Sequence, residues 1–324
     1  MAAGIEHIAD IRIPQKESLA FVGTALQIEQ RNLAMNEFVA GLIEKLRQND
    51  VYALLVKGQG ISQCYERPLW RASGDVDLLL SEANYQKAAK VLAPLTSKVD
   101  KEDQYRRHLA MHFDSFEVEL HGTLRSGFWR KLDREVDEVQ KSVFCQGKVR
   151  SWINGKTCVF LPNADEDVVF VFSHILQHYY KEGIGLRQVC DWCRLLWTYR
   201  DSLDCSLLES RIQRMGAVTE WKAFAALAVE YLGMPVEAMP FYSASGKWKR
   251  KASKILTFII ETGNFGHNRD YSYRRKYPYL VFKAISLWRH IIDFTRYLGI
   301  FPMDSIKVWL AMLRTGFSVA VKGI

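Results

Sequence analysis

The chain has 324 residues, 48% hydrophobic and 25% charged, which allows two domains and a substantial core. No stretch approaches the roughly 18 uninterrupted apolar residues of a membrane span, and residues 1–15 lack the basic start and apolar run of a secretory signal. The six cysteines (Cys64, Cys145, Cys158, Cys190, Cys193, Cys205) follow no disulfide rhythm, so the expectation is a cytoplasmic protein with reduced thiols.

The helical spacing of Phe38, Leu42, Ile43 and Leu46 predicts a helix over residues 18–48. The apolar run 51–56 ends at Lys57-Gly58, as a buried strand running into a loop does. Residues 76–80 form a second apolar strand, and Ser81 is placed to cap a helix over 82–95. Residues 108–113 and 116–121 alternate around Asp114-Ser115, the pattern of a hairpin, and residues 156–161 read as a last strand closed by Pro162-Asn163. Beyond residue 163 the texture turns helical, over 165–180, 186–199, 207–215, 218–232, 251–262, 277–298 and 304–320. The chain is therefore expected to divide into residues 1–163, where helices and strands mix, and 164–324, a helical domain.

The net charge of +8 is concentrated late in the chain. From Gly246 onward fifteen Lys and Arg face four acids, a local excess of +11, so the remainder carries −3. Tyr271 to Tyr277 and the helices after it interleave this charge with Trp288, Phe294, Tyr297, Trp309 and Phe317. Such a mixture suits peripheral contact with an anionic membrane or a nucleic-acid backbone. The simpler expectation is a packed helical subdomain with a solvated basic face.

The chemistry is expected in the first half. Asp75 and Asp77 lie two apart on a strand, so both carboxylates point to one face. Two adjacent acids repel unless a cation compensates them, and Mg²⁺ takes such hard oxygen ligands. Glu117, Glu119 and His121 alternate along another strand, and one of those acids beside the aspartates would complete a cradle for metal ions and a triphosphate. Upstream, Lys57-Gly58-Gln59-Gly60 supplies a flexible loop and a helix N-terminus suited to phosphate oxygens, with Lys57 as a point charge.

Lys57-Gly58-x-Gly60 followed by Arg71-x-x-Gly74-Asp75-Val76-Asp77-Leu78-Leu79-Leu80 resembles the polymerase-β-like nucleotidyltransferase superfamily, and most closely its uncharacterised bacterial nucleotidyltransferase family. Glu119-Leu120-His121, His174 and Leu186-Arg187-Gln188-Val189-Cys190-Asp191 match further elements of that family, over roughly residues 35–235. The resemblance implies an α+β fold: a polymerase-β-like nucleotidyltransferase domain with a small mixed sheet, then a helical domain. It implies that Asp75, Asp77 and Glu119 bind Mg²⁺ and carry catalysis, with Glu119 helping the acceptor hydroxyl lose its proton. It also implies that Lys57, Gly58, Gly60, Ser62, Gly74 and Arg187 serve the nucleotide, with ATP the foremost NTP. The acceptor is left open among a protein, a tRNA and a small hydroxyl compound. Two departures are plain: Gly58 is followed by Gln59-Gly60-Ile61-Ser62 where Gly-Ser is usual, and the third acid is Glu where Asp is commoner. The alternative is a non-catalytic protein that kept the fold to sense a nucleotide or bind a partner.

Other signals are expected to be structural. His174 and His178 stand four apart on a helix and suit a polar core or a substrate contact better than zinc. Arg187 and Asp191 have the spacing of a helical ion pair. Cys190-Asp-Trp-Cys193 lies within a helical pattern and suits a buried pair better than a redox site. Arg71 is expected to satisfy nearby carbonyls or carboxylates.

Overall fold

The computed structural model describes residues 13–103, 107–127, 129–272 and 276–322; what was read from residues 1–12 and 273–275 lies outside them. The chain divides into two compact units, Met1–Thr123 with Gly147–Asn163, and Leu124–Gln146 with Ala164–Ile324.

The first unit opens with helix α1 (Gln15–Arg47), whose Met35, Val39, Leu42, Ile43 and Leu46 line one buried face at helical spacing. Strand β1 (Ala53–Val56) and the short helix α2 (Gly58–Ser62) follow, then β2 (Val76–Leu80) and helix α3 (Glu82–Leu92). The Ser81 side chain accepts from the Asn84 N–H at the start of α3, and Pro94 falls in a 3₁₀ turn that ends the helix before residue 95. Strands β3 (Lys98–Val99), β4 (His108–His112) and β5 (Glu117–His121) complete a five-stranded sheet of order β1-β2-β5-β4-β3. The sheet is mixed: β2 and β5 run parallel, and every other neighbouring pair is antiparallel.

Alternation along the strands sorts the sheet into two faces. Ala53, Leu55, Val76, Leu78, Leu80, Leu109, Met111, Val118 and Leu120 pack with the α1 stripe and with Tyr85, Ala88 and Leu92 of α3 in one core. Asp77, Glu119, His121 and His108 stand at the intervening positions and so occupy the opposite face. The expected last strand pairs elsewhere. Residues 157–162 form β7 (Thr157–Pro162), which makes a two-stranded hairpin with β6 (Val149–Asn154) and adds Val159 and Leu161 to the core.

The second unit contains α4 (Arg130–Gln146), α5 (Ala164–Lys181), α6 (Leu186–Tyr199), α7 (Cys205–Met215), α8 (Val218–Leu232), α9 (Gly246–Thr262), α10 (Tyr279–Leu298) and α11 (Pro302–Lys322). Helix α4 had no counterpart among the expected elements, although its buried Leu132, Val136, Val139 and Val143 carry helical spacing. Its Glu135 accepts both Arg214 guanidinium donors from α7, at 2.7 and 2.9 Å. Aromatic packing dominates the interior: Phe172, Trp192 and Trp221 meet edge to face or tilted at 4.7–5.2 Å. Of the aromatics assigned to a basic surface, Tyr297 is buried and donates to the Tyr179 carbonyl, Phe294 stacks on Trp309, and Trp288 is exposed. The Phe317 side chain lies outside the described residues. Among the described residues no helix is long and apolar enough to cross a membrane.

One buried acid makes the second unit's stability depend on pH. Burial, reinforced by nearby Asp304, pushes the Glu220 carboxyl up to about 8 from its usual 4.5, although the Tyr180 hydroxyl donates to it at 3.0 Å. Between those two values the unfolded chain has lost this proton and the folded chain keeps it, so stability falls as pH rises and levels off above about 8. The decline is on the order of several kcal/mol, at about 1.4 kcal/mol per unit of displacement. Glu220→Gln is expected to flatten it. Urea midpoints from pH 5 to 9 test this, and parallel curves for the two proteins would exclude Glu220 as the cause.

Candidate active site

The parallel register of β2 and β5 sets Asp77 directly opposite Glu119, and Asp75 immediately precedes β2. One carboxylate oxygen from each of Asp75, Asp77 and Glu119 lies within 4.8 Å of the other two. Asp77 is almost fully buried, with a side chain only 3% exposed, and burying an isolated carboxylate costs several kcal/mol. Lys57 offsets that cost. Its ammonium lies 2.7 Å from Asp77 Oδ1, delivered by a backbone turn in which Lys57 holds φ 57° and Gly58 φ 36°. A positive φ costs a non-glycine residue about 1–3 kcal/mol, set against the ion pair with Asp77 and the attraction of Glu119 and Asp75.

Two histidines complete the polar face. His121 Nε2 stands 2.8 Å from Asp77 Oδ1 and 3.4 Å from Glu119 Oε2. His108, paired with His121 across β4 and β5, brings its own Nε2 to 3.1 Å from the same Glu119 oxygen. His108 was not expected here. Its signal was present in the alternation His108-x-Ala110-x-His112, which the hairpin sets against Glu117-x-Glu119-x-His121. Glu117 shares that face but lies two residues further along the ladder, with His112 Nδ1 at 3.7 Å, and is absent from the three-carboxylate group.

The charges perturb one another strongly. Asp75 is pushed up to about 6, chiefly by the Asp77 carboxylate and then by burial, while Lys57 pulls the other way. Burial alone would lower Lys57, but Asp77, Glu119 and Asp75 outweigh it and hold the ammonium above its usual range. Burial would likewise raise Glu119, yet hydrogen bonds from His108 and His121, with the Lys57 charge, hold it well below the usual carboxylate range. For His121, burial favours the neutral ring, and its bonds to Asp77 and Glu119 reverse that and raise it. Even with Lys57 and the histidines in place, the upward displacement of Asp75 marks a site with room for more positive charge.

The glycines and the residues around them build the turn that carries Lys57. Gly58, Gly60 and Ser62 all lie in buried α2. A Cβ on Gly60 would stand 2.7 Å from Leu161 Cδ2, so any larger residue there must displace that buried side chain of β7. Ser62 Oγ donates to the Gln59 carbonyl at 2.7 Å. Gly74 is exposed and its carbonyl accepts from Arg31 at 3.2 Å. Behind the turn, Asn32 of α1 donates to the Leu69 and Arg71 carbonyls and accepts from Gln59. Gln59 in turn accepts from Ser73, whose hydroxyl also accepts from Arg71 at 2.7 Å. This network ties α1, α2 and the approach to β2 together. Arg71 thus meets a hydroxyl within this network, and Asn32, Gln59 and Ser73 are positioning residues that no local motif announces.

A family profile described as an uncharacterised nucleotidyltransferase matches residues 3–233, most of the chain. The chain belongs to this nucleotidyltransferase family. No curated protein and no solved structure matches it. Membership supports transferase activity with an NTP as substrate, and the donor set at the entrance of β2, on β2 and on β5 fits the divalent ion such chemistry uses: three carboxylates are hard ligands of the kind Mg²⁺ takes.

The other expected sites of this family member lie in its second unit. Arg187 is exposed on α6, and Asp191 one turn later is buried. His174 and His178 face each other at 3.1 Å, and His178 also meets Glu182 at 3.3 Å. They belong to no three-ligand group among the described residues. Cys190 and Cys193 are free thiols, both raised above the usual thiol range mainly by burial, which favours the protonated thiol over the thiolate.

Proposed function

We propose that this chain is a Mg²⁺-dependent nucleotidyltransferase that moves a nucleoside monophosphate from an NTP, ATP foremost, to an acceptor hydroxyl and releases pyrophosphate. The observation that carries the proposal is the gathering of Asp75, Asp77 and Glu119 within 4.8 Å on one sheet face, with Lys57 against Asp77. Asp75, Asp77 and Glu119 would hold Mg²⁺, which when bound supplies positive charge against the triphosphate. Glu119 is part-exposed and can accept a hydrogen bond from the acceptor hydroxyl. Its low pKa keeps it ionised, so it takes the proton late, once the new bond from oxygen to the α-phosphorus has acidified the hydroxyl. The bond from the α-phosphorus to its bridging oxygen breaks as that bond forms, and the electron pair leaves with pyrophosphate. His108 and His121 orient Glu119 by their bonds to it. Lys57 holds Asp77 in place and supplies the fixed positive charge nearest to the phosphates.

Thermal melting with each NTP, with and without Mg²⁺, tests the proposal. A ligand that binds only the native state stabilises it by about 2.7 kcal/mol at a hundredfold excess over its dissociation constant. The expected result is a rise in Tm that needs NTP and Mg²⁺ together and disappears in Asp75→Asn. A folded protein that responds to none of the four nucleotides would sink the proposal.

A further inference from the structure

The carboxylate cradle is one of two potential metal-binding groups among the described residues, and the two share a residue. His108, Glu119 and His121 offer ligand atoms that also lie within 4.8 Å of one another. The sheet fixes all three: His108 and His121 are cross-strand partners, and Glu119 is two residues from His121 on the same face of β5. Both imidazoles present Nε2 to the same oxygen, Glu119 Oε2, at 3.1 and 3.4 Å. Ligands about 2.0–2.2 Å from a common ion stand at such separations from one another. The side chains are 32%, 23% and 15% exposed for His108, Glu119 and His121, so an ion has access.

We propose that His108, Glu119 and His121 form a second metal site, selective for a divalent first-row transition ion such as Zn²⁺, Mn²⁺ or Co²⁺, with Glu119 bridging to the Asp75–Asp77 position. Donor chemistry sets the selectivity. Imidazole nitrogen is a borderline ligand that these ions accept and Mg²⁺ does not favour, whereas the aspartates offer hard oxygen alone. Three protein ligands leave positions open for a water or for an oxygen of the substrate. The consequence is a centre with two unlike halves: an oxygen-only half that suits Mg²⁺, and a nitrogen-rich half that retains its ion when Mg²⁺ is in excess. The site itself stands on the geometry of β4 and β5. Its bridging arrangement rests on the nucleotidyltransferase proposal.

The test is Co²⁺ titration of the full-length, tag-free protein, followed by visible ligand-field absorption. The expected result is saturation at one Co²⁺ per chain on this site, displaced by Zn²⁺ and resistant to excess Mg²⁺. His108→Ala and His121→Gln should each weaken Co²⁺ binding by about a hundredfold or more, since loss of a direct ligand costs at least what loss of an outer-shell partner does. Asp75→Asn should retain the absorption, so the nucleotide response and the transition-metal site fail separately. Should a histidine variant not fold, X-ray absorption of the Zn²⁺-loaded wild type decides: two imidazoles per zinc are expected. An all-oxygen or sulfur shell, unchanged binding in folded His108→Ala, or displacement by Mg²⁺ would overturn the site.

Discussion

Asp77→Asn is expected to abolish nucleotidyl transfer, with a loss of roughly 10²–10³-fold or more, the scale seen when one transition-state electrostatic group is removed. The carboxylate is placed for two tasks at once. It faces Glu119 across β2 and β5, where the proposed function makes it a metal ligand, and it holds Lys57 at 2.7 Å and His121 at 2.8 Å. Asparagine keeps the volume and removes the charge, so the sheet remains packed and the cation site loses an anion. Some stability is lost as well, because Lys57 is nearly buried, but Asp75 and Glu119 still attract it. That cost is about 1–3 kcal/mol, the scale of a lost buried polar contact. Transfer of α-labelled nucleotide and urea unfolding, measured on one preparation, separate the effects. Full turnover from a folded Asp77→Asn protein would remove the aspartate from the chemistry.

The largest stability effect is expected far along the chain, at the ion pair between Arg211 of α7 and Glu166 in the first turn of α5. The two are 6% and 0% exposed, and the guanidinium meets the carboxylate through both terminal nitrogens at 2.5 and 3.0 Å. Arg211→Met leaves the carboxylate buried without its guanidinium, at a cost of about 3–5 kcal/mol. The double variant with Glu166→Leu should recover most of that loss, since an apolar pair of similar volume needs no desolvation of charge. Urea unfolding of the single and double variants forms the cycle. A single variant that loses less than about 1 kcal/mol would show that the pair is solvated despite its burial.

Much of the first unit was legible because its signals are local. The run 76–80 is apolar at every position but Asp77, and only a strand buried on both faces tolerates such a run, so β2 appears with its expected bounds. Asp75 and Asp77 were placed on one face by the two-residue period of a strand, and the structure brings them together with Glu119. Helices α6 and α8 likewise begin and end where their apolar spacing does, α8 at Gly233 with φ 72°.

Pairing between distant segments is another matter, because periodicity carries no information on partners. That β7 leaves the main sheet to pair with β6, and that α4 packs with the second unit although it lies before residue 163, depends on which apolar faces meet after folding. Register decided the acid: Glu117 and Glu119 share a period, and only the β2–β5 pairing sets Glu119 opposite Asp77 and leaves Glu117 with His112. The same pairing decided the role of His108, which is separated from its carboxylate by a turn and has no motif of its own. Sequence by itself determined most of the elements, the family, the aspartates and, through the family resemblance, Glu119, since each is written in short-range spacing. Tertiary structure alone decided which of Glu117 and Glu119 stands beside the aspartates, the histidines around that acid and the network behind Lys57, since hydrogen bonds and charges act through space between residues that lie far apart along the chain.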